Sequence, residues 1–541
     1  MPSITNNNIL LSGSIRGYQG ITLLTFFVLL LYTFVIAYGS LESFPSSMST
    51  GFEMPYLADK PVGEDGYYML TVAWNIASGH GIAIRPGEPT TGIQPLATFI
   101  YASIAKIIIL LGGDKFDLVS WVIIFGGINQ IFFAVIMGKV TLGIANNIVK
   151  HRHSAISRAI VAIIIATSFY LFRAFTYGLE TGIYLSLFAL LIYLSLKVFS
   201  SINNQTISRL VVVGLVAGMT ALARIDFGVI FAIFLLILIF FKKIHLRQAI
   251  ILGLTALTVV LPWLVWVKLV SGHWIPSSGI AQSSLIDSHS LQYRAYPFLS
   301  AITQNIFPSL FTGGRSPLVA IAALPTIIAI YLMISISRSW KSADKPIWIA
   351  WLLGSLLMIL LYPVFFWATH FYARYTSPLL VVVMPLFSVA VTSIALKARF
   401  ICINPKRTIA FFAIFLVSLN AALATFSLHT GKIGNSHSVS AGYVREYLSS
   451  SSTVGAFQSG VIGYFNDNVI NLDGKVNPGV IDALAKGGIN DYVLARNIDY
   501  VIDWSGAINS SFLTVPNAER YWRKCQHVVP NDASLCIQRI R

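Results

Sequence analysis

Apolar runs long enough to cross a bilayer, roughly 17 to 25 residues each, recur along this chain, and hydrocarbon admits only helices or closed barrels because exposed amides find no water there. Candidate spans lie at 20–38, 119–138, 157–172, 178–197, 210–224, 226–241, 249–270, 316–337, 346–367, 375–396 and 407–426, eleven in all. Only 11% of the 541 residues are charged, far below the roughly one quarter of an average globular chain. The expected fold class is a mainly α polytopic membrane protein of about 11 transmembrane helices plus juxtamembrane helices.

A formal net charge of +16 would suit a nucleic-acid partner if the charge formed one face. It does not. Seventeen Lys and Arg residues, the first Arg16 and the last Arg407, fall in short gaps between alternate spans beside the single acid Asp344, an excess equal to the whole net charge. That is the positive-inside signature of cytoplasmic loops. No nucleic acid is expected, and the N-terminus is assigned to the cytoplasmic side of a cell (plasma or inner) membrane. Keeping the rule requires that segment 95–111 not cross; Gln94-Pro95 opens it, and Ser103 and Lys106 interrupt it. It is expected to lie along or dip into the outer interface, with a full crossing as the alternative, leaving residues 39–118 as one large outer loop. The first span follows Arg16, is longer than a signal-peptide core of about 7 to 15 residues and lacks a small-x-small cleavage site, so it reads as a retained anchor.

After residue 426 the pattern changes. Short apolar runs at 454–457, 460–465, 469–472 and 500–503 alternate with Gly and Asn breaks, which predicts a small C-terminal extracytoplasmic α/β domain over 427–541 beside a transmembrane domain over 1–426. Cys525 and Cys536 fall in this tail at a separation that fits a hairpin disulfide or two free thiols, while Cys402 sits at a cytoplasmic loop and reads as a free thiol. His151-Arg152-His153 lies in a basic loop and reads as facing lipid headgroups. No phosphate-cradling Gly-rich loop and no metal-ligand spacing is present.

Polar residues gather where spans meet the outer side. The loop holds Glu64-Asp65-Gly66-Tyr67-Tyr68, then Gly79-His80-Gly81 and Gln94, and the span ends hold Arg173, Glu180, Arg224, Asp226, His273 and Arg374. An ionisable residue at membrane depth costs roughly 2.5 to 3.5 kcal/mol on insertion scales, so such residues are paired or functional. Taken singly, each has a plainer explanation: Arg224 and Asp226 as an interfacial ion pair, a tyrosine as helix packing. Asp65 could be a helix N-cap worth about 1 kcal/mol. Their common depth argues for a shared site.

These stretches, with Pro89-Thr90-Thr91-Gly92-Ile93-Gln94, Tyr177-Gly178-Leu179-Glu180-Thr181, Ala223-Arg224-Ile225-Asp226, Pro276-Ser277-Ser278-Gly279, Arg374-Tyr375 and Asn471-Leu472-Asp473-Gly474, run in order through residues 60–480. As an ordered set they resemble the GT-C superfamily of glycosyltransferases that use polyprenyl-phosphate sugars, nearest to the branch containing the mycobacterial terminal arabinofuranosyltransferases. The resemblance implies a GT-C fold with a catalytic aspartate in the first outer loop, and alignment of the following helix puts it on Asp65. The chain departs from the pattern at Gly66, Trp74 and Thr91, where members of the branch often carry Ala, Arg and Asn.

Joining a glycosyl phosphate to a hydroxyl needs one base for the acceptor proton, since the departing phosphate leaves without a proton. The expected function is an inverting hexosyl- or pentosyltransferase. It would move a sugar from a polyprenyl-phosphate donor to a hydroxyl of a cell-envelope glycan, lipid or protein on the outer side, with Asp65 as base. Arg224, Arg374 and then Arg173 are the candidates to hold the leaving phosphate bidentately. Glu64, Tyr67, Tyr68, His80, Gln94, Glu180, Asp226 and His273 are the further substrate-binding candidates, and Glu64 with Asp65 is a possible divalent-cation pair. Membrane lipids surround the whole. A transporter or flippase of lipid-linked or small polar substrates is the alternative; it calls for paired repeats and helices broken at the midplane, and no repeat is visible.

Overall fold

The computed structural model describes residues 4–38, 60–148, 151–283, 291–306, 308, 344–365, 372–397, 410–420 and 436–540, apart from 526 and 529–533. The expected span at 316–337 and Cys402 lie outside them. Among the described residues, Gln19–Tyr38, Lys115–Ile148, Thr181–Phe199, Leu246–Ser271 and Lys345–Phe365 are long and apolar enough to cross a membrane. The expected span at 157–172 is instead two helices, Ser154–Thr167 and Phe169–Thr176, bent by 62°. The break is at Ser168, whose hydroxyl caps the second helix by accepting the Leu171 N–H at 3.2 Å. Ile207–Ala223, Phe227–Phe240, Pro378–Ile394 and Ala410–Asn420 are apolar but shorter.

Leu246–Ser271 shows why these helices need lipid. Ala249, Leu252, Ala256, Val260, Trp263 and Val267 are buried along one stripe, while Ile250, Leu254, Leu257, Leu261, Val265 and Leu269 are exposed along another. Both stripes are apolar at helical spacing, so the exposed one requires a hydrocarbon solvent. The buried stripe meets Ile207–Ala223, where small residues let two backbones approach: a Cβ on Gly218 would stand 2.7 Å from the Ala256 carbonyl oxygen. The chain is a multi-pass membrane protein.

Against this body, residues 60–111 of the first long polar segment fold into two helices. Glu64–Ala77, the loop helix, is followed by the hairpin β1 (Ala83–Arg85) and β2 (Glu88–Pro89) and then by Pro95–Leu110. The latter buries Ala97, Tyr101, Ala105 and Ile108, packs along the loop helix and leaves Ile107 and Leu110 exposed. Its Lys106 ammonium donates to the Ala77 carbonyl at 3.2 Å. Sixteen residues at about 1.5 Å each give about 24 Å, short of a hydrocarbon core of about 30 Å.

The tail forms a five-stranded sheet in the order β4-β3-β5-β7-β6, from β3 (Val454–Ala456), β4 (Val469–Asn471), β5 (Tyr500–Trp504), β6 (Trp522–Lys524) and β7 (Ser534–Arg539). β3 runs parallel to β4 and β5, and β7 antiparallel to β5 and β6. Side chains alternate between faces as the pleat demands. Val454, Ala456, Val469, Ile502 and Cys536 pack into the core shared with the loop helix, whereas Ile470, Val501, Leu535 and Ile537 pack against Val493, Phe512 and Trp522. The sheet therefore joins loop and tail on one side of the helical body. Cys525 and Cys536 face each other across β6 and β7, the Cys525 N–H on the Cys536 carbonyl at 2.8 Å, and both thiols are free. Of the two arrangements the spacing allowed, the structure has the free thiols, set side by side.

Candidate active site

The loop helix begins at Glu64, with Gly63 in extended conformation as its N-cap and no side-chain cap. Asp65 therefore lies inside the first turn, and the capping role considered for it belongs to Gly63. Two consecutive helical residues point about 100° apart, and these two acids diverge accordingly. The Asp65 side chain, 15% exposed, points into a cavity of about 220 Å³ beneath the loop helix. Glu64 turns the other way and accepts the N–H groups of Gly460 and Val461 from the tail. Burial, opposed by those two hydrogen bonds, pushes the Glu64 carboxyl up to about 8. Both Glu64 oxygens thus hold backbone donors, and no group of three or more His, Cys, Asp or Glu able to hold a metal ion occurs among the described residues.

Glycine at 66 has a local cause. A Cβ there would stand 2.2 Å from the Tyr177 carbonyl oxygen, because the loop helix sits directly on the Tyr177–Thr181 turn, where Gly178 adopts φ +81°. That turn delivers Leu179 to the cavity wall and Glu180 to a fully buried position behind it. Arg374 clasps Glu180 with Nε at 2.8 Å and Nη2 at 2.6 Å. Arg224 takes Asp226 in the same manner at 3.2 and 2.6 Å, and its Nη1 donates to the Arg374 carbonyl at 2.8 Å. Tyr362 donates to Asp226, stacks on Tyr375 at 4.2 Å between centroids, and receives Arg224 Nη2 at 3.0 Å. The Nε–Nη2 edges expected to meet a phosphate are thus occupied by carboxylates.

The cavity brings together Asp65, Tyr68, Gln94, Arg224, Asp226 and Arg374 of the residues singled out by sequence, with Glu180 in support behind. Others go elsewhere. Glu64 faces the tail, and Tyr67 is buried with its ring 5.4 Å from that of Tyr464, a packing residue rather than a sugar platform. His80, Arg173 and His273 are exposed and do not line the cavity. The loop after Leu246–Ser271 does contribute, but through Ile275, Pro276, Ser278 and Gly279.

Sequence reasoning missed Tyr362, Tyr375 and above all Lys475, which all line the cavity. The Lys475 ammonium lies 3.3 Å from Asp65 Oδ1 and 3.3 Å from Asp473 Oδ2. Burial works against its charge, but the Asp65 and Asp473 carboxylates outweigh it and hold the ammonium well above the usual lysine range. Asp473, desolvated and opposed by Lys475, is itself pushed up. The only signal was position: Lys475 directly follows the Asn471-Leu472-Asp473-Gly474 stretch.

Residues 431–537 match a family model described as a domain of unknown function, DUF8728. No curated protein matches the chain. Among solved structures it is similar to ArnT from Cupriavidus metallidurans in the apo state, at 10% sequence identity and a TM-score of 0.52, over 95% of this chain and 97% of that one. It is also similar to the archaeal oligosaccharyltransferase AglB from Archaeoglobus fulgidus in complex with an inhibitory peptide and a dolichol-phosphate, at 13% identity and a TM-score of 0.48, over 92% and 72%. The likeness to ArnT, over nearly the whole of both chains, shows that the two share a fold.

Proposed function

We propose that the protein is an integral-membrane glycosyltransferase that moves a sugar from a polyprenyl-phosphate donor to a hydroxyl of a cell-envelope glycan, lipid or protein. Its motifs point to the arabinofuranosyltransferase-like branch. The observation that carries this reading is the convergence of the Asp65 carboxylate, which neither arginine clasps, with two guanidiniums, Arg224 and Arg374, on a single cavity between outer loop and helix tips. The fold shared with ArnT supports it. Asp65 takes the proton of the acceptor hydroxyl as its oxygen bonds to the anomeric carbon; the bond from that carbon to the phosphate oxygen breaks, and its electron pair leaves with the phosphate. Attack in line inverts the anomeric centre. Arg224 and Arg374 supply positive potential where the phosphate gains charge, and Tyr68 and Gln94 border the sugar. The site works on the outer side, the N-terminus lies in the cytoplasm, and residues 427–541 form the extracytoplasmic domain.

The test is transfer from a panel of polyprenyl-phosphate sugars by protein reconstituted in lipid. Asp65→Asn, which leaves Lys475 with Asp473 as its remaining carboxylate, should stay folded with a modestly lowered melting temperature yet lose about 10²- to 10⁴-fold in transfer rate, the usual worth of a general base. An Asn protein with undiminished transfer would remove Asp65 from the chemistry.

A further inference from the structure

The tail reaches the cavity through a braced turn. Asn471 Oδ1 accepts the Gly474 N–H at 3.1 Å, Gly474 adopts φ +80°, and Asp473 Oδ1 accepts the Lys475 N–H at 2.9 Å. Both outer loops grip the lysine backbone. Its carbonyl accepts the Ser277 hydroxyl at 2.8 Å, and a Cβ on Gly92 would stand 1.6 Å from the same oxygen. Ser277 N–H in turn donates to Thr91 Oγ1 at 3.1 Å. A backbone fixed this firmly carries a side chain fixed loosely.

Among the described residues three cations line the cavity, and they differ in how tightly they are held. Arg224 and Arg374 each present their Nε–Nη2 edge to a carboxylate at 2.6 to 3.2 Å. Lys475 touches its two carboxylates at 3.3 Å each, on a flexible stem whose ammonium can turn its donors without moving the backbone. An incoming phosphate needs a cation that can change partners at little cost.

Resting on the glycosyl-transfer reading above, we propose that Lys475 is the phosphate-binding residue of the site: it steadies Asp65 in the empty cavity and turns to the donor phosphate when the lipid enters. Its departure leaves Asp65 free to face the acceptor hydroxyl. The tail is then a working part of the transfer site, completing it from the side opposite the arginines.

Full-length protein in lipid nanodiscs is titrated with a short-chain polyprenyl phosphate, with inorganic phosphate as a competitor, and transfer is measured in parallel. Lys475→Met should weaken binding of the lipid phosphate and raise the donor KM by about ten- to hundredfold, the effect of losing a charged hydrogen bond, with the acceptor KM unchanged. Lys475→Arg should restore most of the loss. Asp473→Asn, which releases the ammonium from one carboxylate, should bind the lipid phosphate at least as tightly as wild type. Inorganic phosphate should compete in wild type and fail to in the Met protein; no competition in wild type would assign the binding to the lipid chain and overturn the role of Lys475. Wild-type affinity in Lys475→Met would overturn it as well. So would equal losses in the Met, Arg and Asn proteins with lowered melting temperatures, which would make Lys475 only an anchor of the tail. If the wild-type protein neither binds the lipid phosphate nor transfers sugar, the glycosyl-transfer reading itself falls, a result distinct from failure of the lysine alone.

Discussion

The two halves of the cavity are built differently. On the helix-tip half, Glu180, Arg224, Arg374 and Asp226 form a network whose side chains are 0%, 4%, 13% and 21% exposed, and the carboxylate contacts shorten to 2.6 Å. On the loop-and-tail half, Asp65, Asp473 and Lys475 are 14 to 19% exposed and meet at 3.3 Å. Both halves carry carboxylates and cations. Two-point pairs at 2.6 to 3.2 Å around a fully buried Glu180 hold one geometry and resist rearrangement, whereas longer single contacts exchange partners readily. The difference assigns scaffold to the first half and working groups to the second.

The sharpest way to break that division is to remove the scaffold's central acid. Glu180→Ala would leave Arg374 and Arg224 desolvated without a shared partner, and loss of one member of a buried pair costs about 3–5 kcal/mol. Denaturant or thermal unfolding in detergent would register it; a cost below about 1 kcal/mol would show that the network tolerates gaps and is no scaffold. A smaller effect is expected at the seam between the halves. Gly92→Ala drives a methyl into the Lys475 carbonyl and should cost about 1–3 kcal/mol, the range for overpacking. Hydrogen exchange should then rise at 471–475 while the arginine network stays protected. Equal loosening on both sides would mean that the halves are not separable.

Legibility in the sequence followed the range of the interaction. Apolar periodicity is local, so the long helices and the lipid-facing stripe of Leu246–Ser271 could be read directly. The break at Ser168 could not, since a single capping hydroxyl inside an apolar run leaves no periodic trace. Asp65, Arg224, Asp226 and Arg374 were legible because each ends a span or begins a polar stretch. Glu64 and Tyr67 were grouped with them by adjacency, yet helical rotation sends both toward the tail. Lys475 lies 410 residues from Asp65, and nothing in the tail's own pattern distinguishes it from a solvated lysine. Contacts across such distances are written in no local spacing.

The last prediction concerns the acid that joins loop and tail. Burial lifts Glu64 from its ordinary 4.5 to about 8, although the Gly460 and Val461 N–H groups favour the ionised form. Because the folded value is the higher one, the unfolded chain releases its proton first as pH rises. The stability tied to this carboxyl is therefore complete below about 4.5 and declines until pH passes about 8. Burial likewise pushes Asp503 up to about 6, so both wild type and Glu64→Gln should lose some stability between the ordinary 3.8 of that group and about 6. Asp503 acts alike in both proteins, so they should diverge steadily from about pH 4.5 to about 8, wild type weakening more steeply than Glu64→Gln throughout. Melting temperatures and limited proteolysis of the tail across that window measure the difference. Parallel curves would mean that Glu64 is solvated in the working protein, and the loop-and-tail half would then lack the buried clasp that sets it beside Asp65.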